Sequence, residues 1–510
     1  MKRLTALLLA GALALALCAC GGDTPVEPSA SPEPTASPSS QPETRPFTLA
    51  YDPSAALHPI RGESQVNGML TALVWQGLYE LDNTFTPQPV LARSASADES
   101  GLVWTVSLRT DAAFSDGTPL TARHAADSLN AARGSARYAA RLSTVASVTA
   151  QGEDVVITLY TPNGDLPALL DVPVVLEQDD GTPLGTGRYC FEEGPDGLRL
   201  AANPRWTGTL PFSEIALHPV SDADSRLDAF NSGAVTMAAA DPNGLFSLGY
   251  GRDCEQWDYP TTELICLGFQ AAKGPCRYGE VRRAVSLLCD RAGLVRSALS
   301  GLGDPAELPV SPLCDDYDAD AAQALAFDPD AAAALLDGAG FTAGEDSLRA
   351  RRGEALSVTI LVNADSAPKL ALAEQIAGAL RSAGFDAAVD QRTWQGYQAA
   401  LAAGDFDLYV AEVRLTADFN FTPLLSGTLN YGQYPLSALA DVLSPWTAAQ
   451  GEVRADAAAA LWARFAQEVP LAPLCFKRNV LLVQRDAITG LSPTRADPFA
   501  RMENWAAAVK

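Results

Sequence analysis

The stretch from Leu356 to Val413 constrains the fold of this chain more than any other. Leu356-Ser357-Val358-Thr359-Ile360-Leu361-Val362 is a nearly continuous apolar run rich in β-branched residues, as in a strand buried on both faces. A helix is expected from Pro368 to Ala383, opened by proline and stopped by Gly384. A short strand at Ala387–Gln391, a helix at Trp394–Ala403 and a strand at Phe406–Val413 follow. Strand–helix–strand–helix–strand order requires crossover connections, so it predicts an α/β lobe with a largely parallel sheet. Just upstream, Val281, Val285 and Leu288 recur at helical spacing, and Asp290 is placed to cap a helix carrying Leu294 and Leu299.

The earlier half follows a different pattern. Leu102–Arg109, Asp154–Tyr160 and Leu198–Ala201 are short strands separated by Gly/Pro/Asp turns, with one helix at about Ala122–Ala132. Two such unlike halves in 510 residues imply two or three domains, because a single core stops growing near roughly 250–300 residues. With 47% apolar and 19% charged residues the chain can bury large cores. Thirty-six Lys and Arg against 61 Asp and Glu leave a net charge of −25, which excludes a phosphate-neutralising nucleic-acid surface. Three histidines leave little material for His-based metal or acid–base chemistry.

The N-terminus is read as an address. Lys2 and Arg3 precede the apolar stretch Leu4–Leu17, too short for the roughly 20 residues that span a bilayer, so residues 1–20 are expected to be a secretory signal. It ends in Leu17-Cys18-Ala19-Cys20-Gly21-Gly22, which resembles a bacterial lipobox with Cys20 as the lipidated residue. Two acyl chains on Cys20 would give stable anchoring where one is marginal. Residues 21–46 hold seven prolines and five serines and cannot form a core, so they are expected to be an extended, disordered tether. Downstream, Cys190, Cys254, Cys266, Cys276, Cys289, Cys314 and Cys475 form no CxxC pair, and those in apolar helical runs are expected to be buried core thiols.

Several blocks then occur in a fixed order. Gly77-Leu78-Tyr79-Glu80 is followed by Pro89-Val90-Leu91-Ala92, by Trp104-Thr105-Val106-Ser107-Leu108-Arg109, and by Phe114-Ser115-Asp116-Gly117-Thr118-Pro119. Gly185-Thr186-Gly187-Arg188-Tyr189, Asn203-Pro204-Arg205-Trp206, Asp224-Ser225-Arg226-Leu227 with Ser232-Gly233, Val281-Arg282-Arg283-Ala284 with Asp290-Arg291, and Ala403-Gly404-Asp405-Phe406-Asp407 complete the series. Together, from Phe47 to Trp505, they resemble the family 5 extracellular solute-binding proteins, the oligopeptide- and dipeptide-binding lipoproteins of ABC importers.

The resemblance implies an α/β, two-lobe periplasmic-binding-protein-like fold of type II with three domains, a hinge and an interlobe cleft. Lobe I would comprise residues 47–70, 184–262 and 467–510, with 71–183 inserted as a subdomain, and lobe II residues 263–466. Crossings near Thr262–Gln270 and Gln467–Phe476 would form the hinge. In peptide-binding members an Asp of the second lobe holds the ligand's α-ammonium; Asp418, in Thr416-Ala417-Asp418-Phe419-Asn420, matches that position, and a turn-forming loop Asp is the alternative. Trp394 matches an aromatic lining a side-chain pocket, and main chain near Ala55 would touch the ligand. Leu415 stands where the family often has Trp, and Gln270 where it has a cleft Asn, so peptide specificity is open. The implied partners are a short peptide or another small solute (a nickel chelate, sugar or haem), the permease subunits of the importer, and the membrane through the lipid anchor. The protein is expected to act as a monomer on the extracellular face, or in the periplasm where an outer membrane exists.

No cofactor, metal site or catalytic residue is expected. Ser366-Ala367-Pro368-Lys369 matches an SxxK pattern without the SDN and KTG partners of penicillin-recognising enzymes. Asp315-Asp316-Tyr317-Asp318-Ala319-Asp320 lacks the Gly and Glu of a calcium loop and is expected to be a solvated loop. His124 is expected to be an exposed helix residue. The overall acidity is expected to bias the cleft toward amine-bearing ligands. A peptide-sensing lipoprotein is an alternative role for the same fold, and a surface hydrolase is disfavoured for want of a nucleophile–base pair.

Overall fold

A computed structural model of the chain describes residues 46–507, apart from 180, 196, 245–252 and 346. The expected signal segment 1–20 with Cys20, and all but the last residue of the expected tether, lie outside the described residues.

An 11-stranded mixed sheet runs through the body. From one edge its strands are Asp386–Arg392, Ser357–Asn363, Leu408–Arg414, Cys254–Phe269, Leu471–Gln484, Met237–Ala240, Thr48–Tyr51, Glu214–Pro219, Gly197–Ala202 and Tyr189–Gly194, with Gly303–Pro305 also paired to Leu471–Gln484. The first three are parallel, Ser357–Asn363 in the middle, as the strand–helix alternation required. Their connecting helices are Ala367–Ser382 and Trp394–Ala403, and Gly384 takes φ +89° just past the first, a left-handed stop that a side chain would strain.

Two large cores flank the middle of this sheet. One is built from residues between Leu264 and Phe476, around Phe421, Trp446, Trp462 and Phe465. The other draws on residues from Phe47 to Tyr259 and again from Leu481 to Trp505. The antiparallel strands Cys254–Phe269 and Leu471–Gln484, called here the crossing strands, belong to both. From Tyr259 to Phe269 every residue of the first is buried, the run expected of a strand covered on both faces. Their register breaks between Pro260 and Leu264, where a bulge bends the strand. That break lies opposite Phe476–Arg478.

Residues 92–159 form a four-stranded antiparallel sheet with the helix Ala122–Arg133. Val103–Leu108 and Asp154–Leu159, both expected as strands, each alternate half-buried and buried positions, the period of two of a sheet with one covered face. His124 is half-buried rather than exposed: it closes a capping box with Thr121, its Nδ1 3.1 Å from Thr121 Oγ1, and sits edge-on to Phe114 at 5.1 Å. Phe85, at φ 63°, leaves this half and packs on Phe419 at 5.1 Å, which in turn meets Phe476 at 5.5 Å. Cys266, Cys276, Cys289 and Cys475 are buried, and burial pushes the Cys266 and Cys475 thiols up to about 12 and Cys289 to about 11. These are unreactive core thiols.

The acidic run at 315–320 is a correction. Asp316 is no solvated residue: it accepts from Arg454 at 2.6 Å and from Trp446 Nε1 at 3.1 Å, while Asp318 caps a helix through Ala321 N. Trp462 lies at the centre of this packing, 5.5 Å from Trp446 and 5.8 Å from Phe421, and donates to the Asp316 carbonyl at 2.6 Å. Trp462→Ala should therefore cost about 3–5 kcal/mol, read as a lower midpoint of the second lobe's unfolding in urea.

Candidate functional site

A cavity of about 1360 Å³ opens between the two lobes and onto the crossing strands. One wall comes from the first lobe: residues near the start of helix Gln65–Val74, Arg137, Arg226 and Met237–Asp241. Tyr259, Glu263 and Asn479 of the crossing strands form its floor. The opposite wall holds Asn363 and Lys369, at the carboxyl end of a parallel strand and the start of the following helix, with Trp394, Tyr397, Tyr409 and Tyr431. Carboxyl ends of parallel strands are where open α/β sheets bind ligands, because the connections diverge there and leave a crevice.

The aromatic wall is set by backbone geometry. Thr393 caps helix Trp394–Ala403, and Trp394 N donates to Asp365 Oδ2 at 2.9 Å, which fixes the helix start. Trp394 is 52% exposed and stacks on Tyr397 at 5.7 Å and 19°. Tyr409 lies across Gly268 so closely that a Cβ there would come within 2.0 Å of the ring, so only glycine leaves room. Tyr431 meets Tyr409 edge-on at 6.2 Å.

At the floor stands a buried ammonium. Lys477 Nζ, fully buried on the second crossing strand, lies 2.5 Å from Asp241 Oδ2, 2.9 Å from Glu412 Oε1 and 3.5 Å from Glu263 Oε2. The three carboxylates approach within 4.8 Å of one another, a spacing able to hold a metal ion, but the Lys477 ammonium fills the cationic position. Glu412 is also bound by Lys369 at 2.7 Å, and Glu263 by Arg414. Burial alone would lower the Lys477 pKa, yet the surrounding carboxylates outweigh it and raise it. Burial likewise works to raise Glu412, and the two lysines together hold it below its ordinary value.

Of the residues expected from the sequence to bind ligand, Trp394 alone is on the cavity wall among the described residues. Asp418 is buried elsewhere, its carboxylate accepting from Thr416 Oγ1 at 2.5 Å and Asn163 Nδ2 at 2.9 Å. Phe419 sits in the core between Phe85 and Phe476, and Leu415 pairs with Thr262 of the first crossing strand. Asn420 is half-buried and closes a turn through Thr422 N. Gln270 is buried against Gly404, and Ala55 holds Asn67 through its carbonyl. Residues 415–420 are thus drawn into packing beside the crossing strands, which a local motif does not disclose. Asp241, Glu412 and Lys477 were missed. Lys477 carried a signal nonetheless: it is a lone ammonium inside the apolar strand Leu471–Val483, where an unpaired charge is not tolerated.

The profile of the bacterial extracellular solute-binding proteins, family 5, middle region, matches residues 86–432. Protein XP55 of Streptomyces lividans is 27% identical over 383 residues, covering 70% of this chain and 68% of that protein. The nickel-binding periplasmic protein of Escherichia coli K12 is 26% identical over 343 residues, 62% of this chain and 65% of that one. The chain therefore spans about two thirds of the length of these relatives. In fold it is similar to the periplasmic murein tripeptide binding protein MppA in an unliganded open form, with TM-score 0.72 and 18% identity over 91% of this chain and 98% of that one. Among the described residues no helix is long and apolar enough to cross a membrane.

Lys477→Met should cost about 3–5 kcal/mol at pH 7, because three carboxylates would be left facing one another. In the wild type, Glu412 is depressed below 4.5, so its contribution is present above about that pH and lost as pH falls through the lowered value. Lys477 is raised above 10.5, so its contribution is full below that and lost only as pH rises through the raised value. The deficit of the variant should accordingly shrink between pH 7 and pH 4 as its carboxylates protonate. Melting midpoints of both proteins across that range check this; a deficit independent of pH would contradict it.

Proposed function

The chain belongs to the family 5 bacterial extracellular solute-binding proteins, and from that premise we propose that it captures a short peptide between its lobes and delivers it to the permease of an ABC importer. The cavity carries this reading. At about 1360 Å³ it exceeds the roughly 300–1,000 Å³ of sites for drug-sized ligands, and it suits a few extended residues with water around their side chains. Its walls come from both lobes, so a ligand touching both favours the closed state and drives closure about the crossing strands. The aromatic wall of Trp394, Tyr397, Tyr409 and Tyr431 offers apolar area to side chains of varied shape.

In this reading Cys20 is diacylated, the proline-rich segment holds the body off the membrane, and the monomer works on the outer face of the cell membrane. Recognition rests on the cavity wall rather than on Asp418, whose oxygens are taken by Thr416 and Asn163. A second reading, an anionic nickel chelate, is favoured by Arg137 and Arg226. Both lie on the first lobe's wall without an ion pair among the described residues, and the similarity to a nickel-binding protein agrees with it.

Thermal shift against a short-peptide library and against nickel chelated by histidine, with mass spectrometry of whatever co-purifies, separates the two. Stabilisation by peptides is expected; stabilisation by the chelate alone would overturn the peptide reading. Trp394→Ala should weaken peptide binding about tenfold or more, and Asp418→Asn by less than about threefold, as titration calorimetry would show. Cys20→Ser should move the protein from the membrane to the soluble fraction and abolish labelling by an alkyne fatty acid.

A further inference from the structure

Three residues of the cavity wall each carry a buried polar atom with no partner in the protein among the described residues. Asn363 is 3% exposed; its Oδ1 accepts from Asp365 N at 3.1 Å, which fixes the amide orientation and leaves Nδ2 buried and unmet at the cavity. Asn479 Oδ1 is likewise buried and unmet. Asn479 lies two residues beyond Lys477 on a strand, so its side chain shares the face that carries the ammonium. Arg226, in helix Ala223–Asn231 of the first lobe, has its Nε buried and unmet and no carboxylate partner. A buried donor or acceptor without a partner is unfavourable and uncommon, and here one comes from each of the second lobe, a crossing strand and the first lobe.

The complement of this set is a definite chemical class. Asn363 Nδ2 calls for a carbonyl oxygen, Asn479 Oδ1 for an N–H, and the Arg226 guanidinium for an anion, best a planar carboxylate. Resting on the peptide reading above, we infer that the cleft selects peptides with a free C-terminal carboxylate. The carboxylate lies toward Arg226 on the first lobe, and a main-chain amide is held between Asn479 and Asn363. The other charges of the second lobe's wall do not compete for that carboxylate, because Lys369 is neutralised by Glu412 and Arg414 by Glu263. The anionic end is therefore read by the first lobe and the amide by the remainder, so one ligand touches both halves and is satisfied only when they close.

The test uses the full chain and two random tripeptide libraries, one with free C-termini and one amidated. The free-acid library should raise the melting temperature, and the amidated one should do so far less. Arg226→Gln should lower free-acid affinity at least tenfold, to the level of the amide, while Arg226→Lys keeps part of the preference. Asn363→Ala should weaken both libraries alike. Unliganded melting curves of each variant verify that it folds. Equal response of the wild type to both libraries, or an undiminished preference in Arg226→Gln, overturns the assignment and leaves the peptide reading standing. No response to either library overturns both.

Discussion

The molecule turns on the ammonium of Lys477. Each crossing strand runs from one core to the other, and at the passage the sheet carries charge where an apolar side chain would be expected. Asp241 follows a strand of the first lobe, Glu263 lies on a crossing strand and Glu412 on a strand of the second lobe; all three converge on Lys477 Nζ. Removing four charges from water is expensive, and such a cluster persists only where each member is paired. Here Lys369 and Arg414 complete the pairing from the second lobe. Thr261 Oγ1 donates to the Lys477 carbonyl and Thr262 Oγ1 to that of Leu415, both at 2.7 Å, which satisfies backbone groups left by the register break. An apolar hinge would hold its two sides by area alone. A shared ammonium instead ties the orientation of both lobes to a few directed contacts at the floor of the cleft.

That arrangement also decides the electrostatics of the site. The chain carries −25, and on charge alone an amine-seeking cleft was the expectation. The wall itself is balanced: Glu63, Asp241, Glu263 and Glu412 face Arg137, Arg226, Lys369 and Arg414, four against four, and buried Lys477 adds one positive charge behind them. The acidity resides on the outer surface, where it is screened within about 8–10 Å at ordinary ionic strength. In the proposed reading, short-range recognition falls to Arg137 and Arg226, which have no ion pair among the described residues and favour an anion. Net charge describes the solubility and long-range field of this chain, and does not describe its pocket.

Much of the fold was legible because it is written locally. The strand at Ser357–Asn363, the helix ended by Gly384 and the helix Trp394–Ala403 each follow from periodicity and from end signals within a few residues. The site was less legible because its contacts are remote in sequence. Lys477 meets Asp241 across 236 positions, and Asn163 meets Asp418 across 255. Asp418 was chosen by matching a family pattern, and nothing in Thr416–Asn420 announces that an amide from the first half occupies the carboxylate. Trp394 was reached through the family pattern alone, since a Trp at a helix start is equally a core residue until its neighbours are known. The orphaned amides of Asn363, at a strand end, and Asn479, inside a strand beside charged residues, gave no signal, since a polar residue at either place is ordinary until its neighbours are known.

The contact between Asn163 and Asp418 bears on how the lobes can move. It does not stand alone: Gly164 N donates to the Thr447 carbonyl at 2.7 Å, and a Cβ at Gly164 would come within 1.9 Å of the Ala449 carbonyl oxygen. Beside it, Asp165 faces Arg454, and burial, reinforced by Asp418 and Asp316, pushes its pKa up to about 7. Asp418 adjoins Phe419, which packs between Phe85 and Phe476, the residue next to Lys477. Asp418 and Phe419 therefore lie beside the crossing strands, about which the proposed closure would turn. Groups near an axis change their separation least as a cleft opens. A ligand there gains little differential contact between open and closed forms, and only differential contact shifts that equilibrium. Trp394 on one wall and Arg226 on the other lie on opposite lobes, away from the Asn163–Asp418 contact, and it is contacts of that kind that the proposed closure would create.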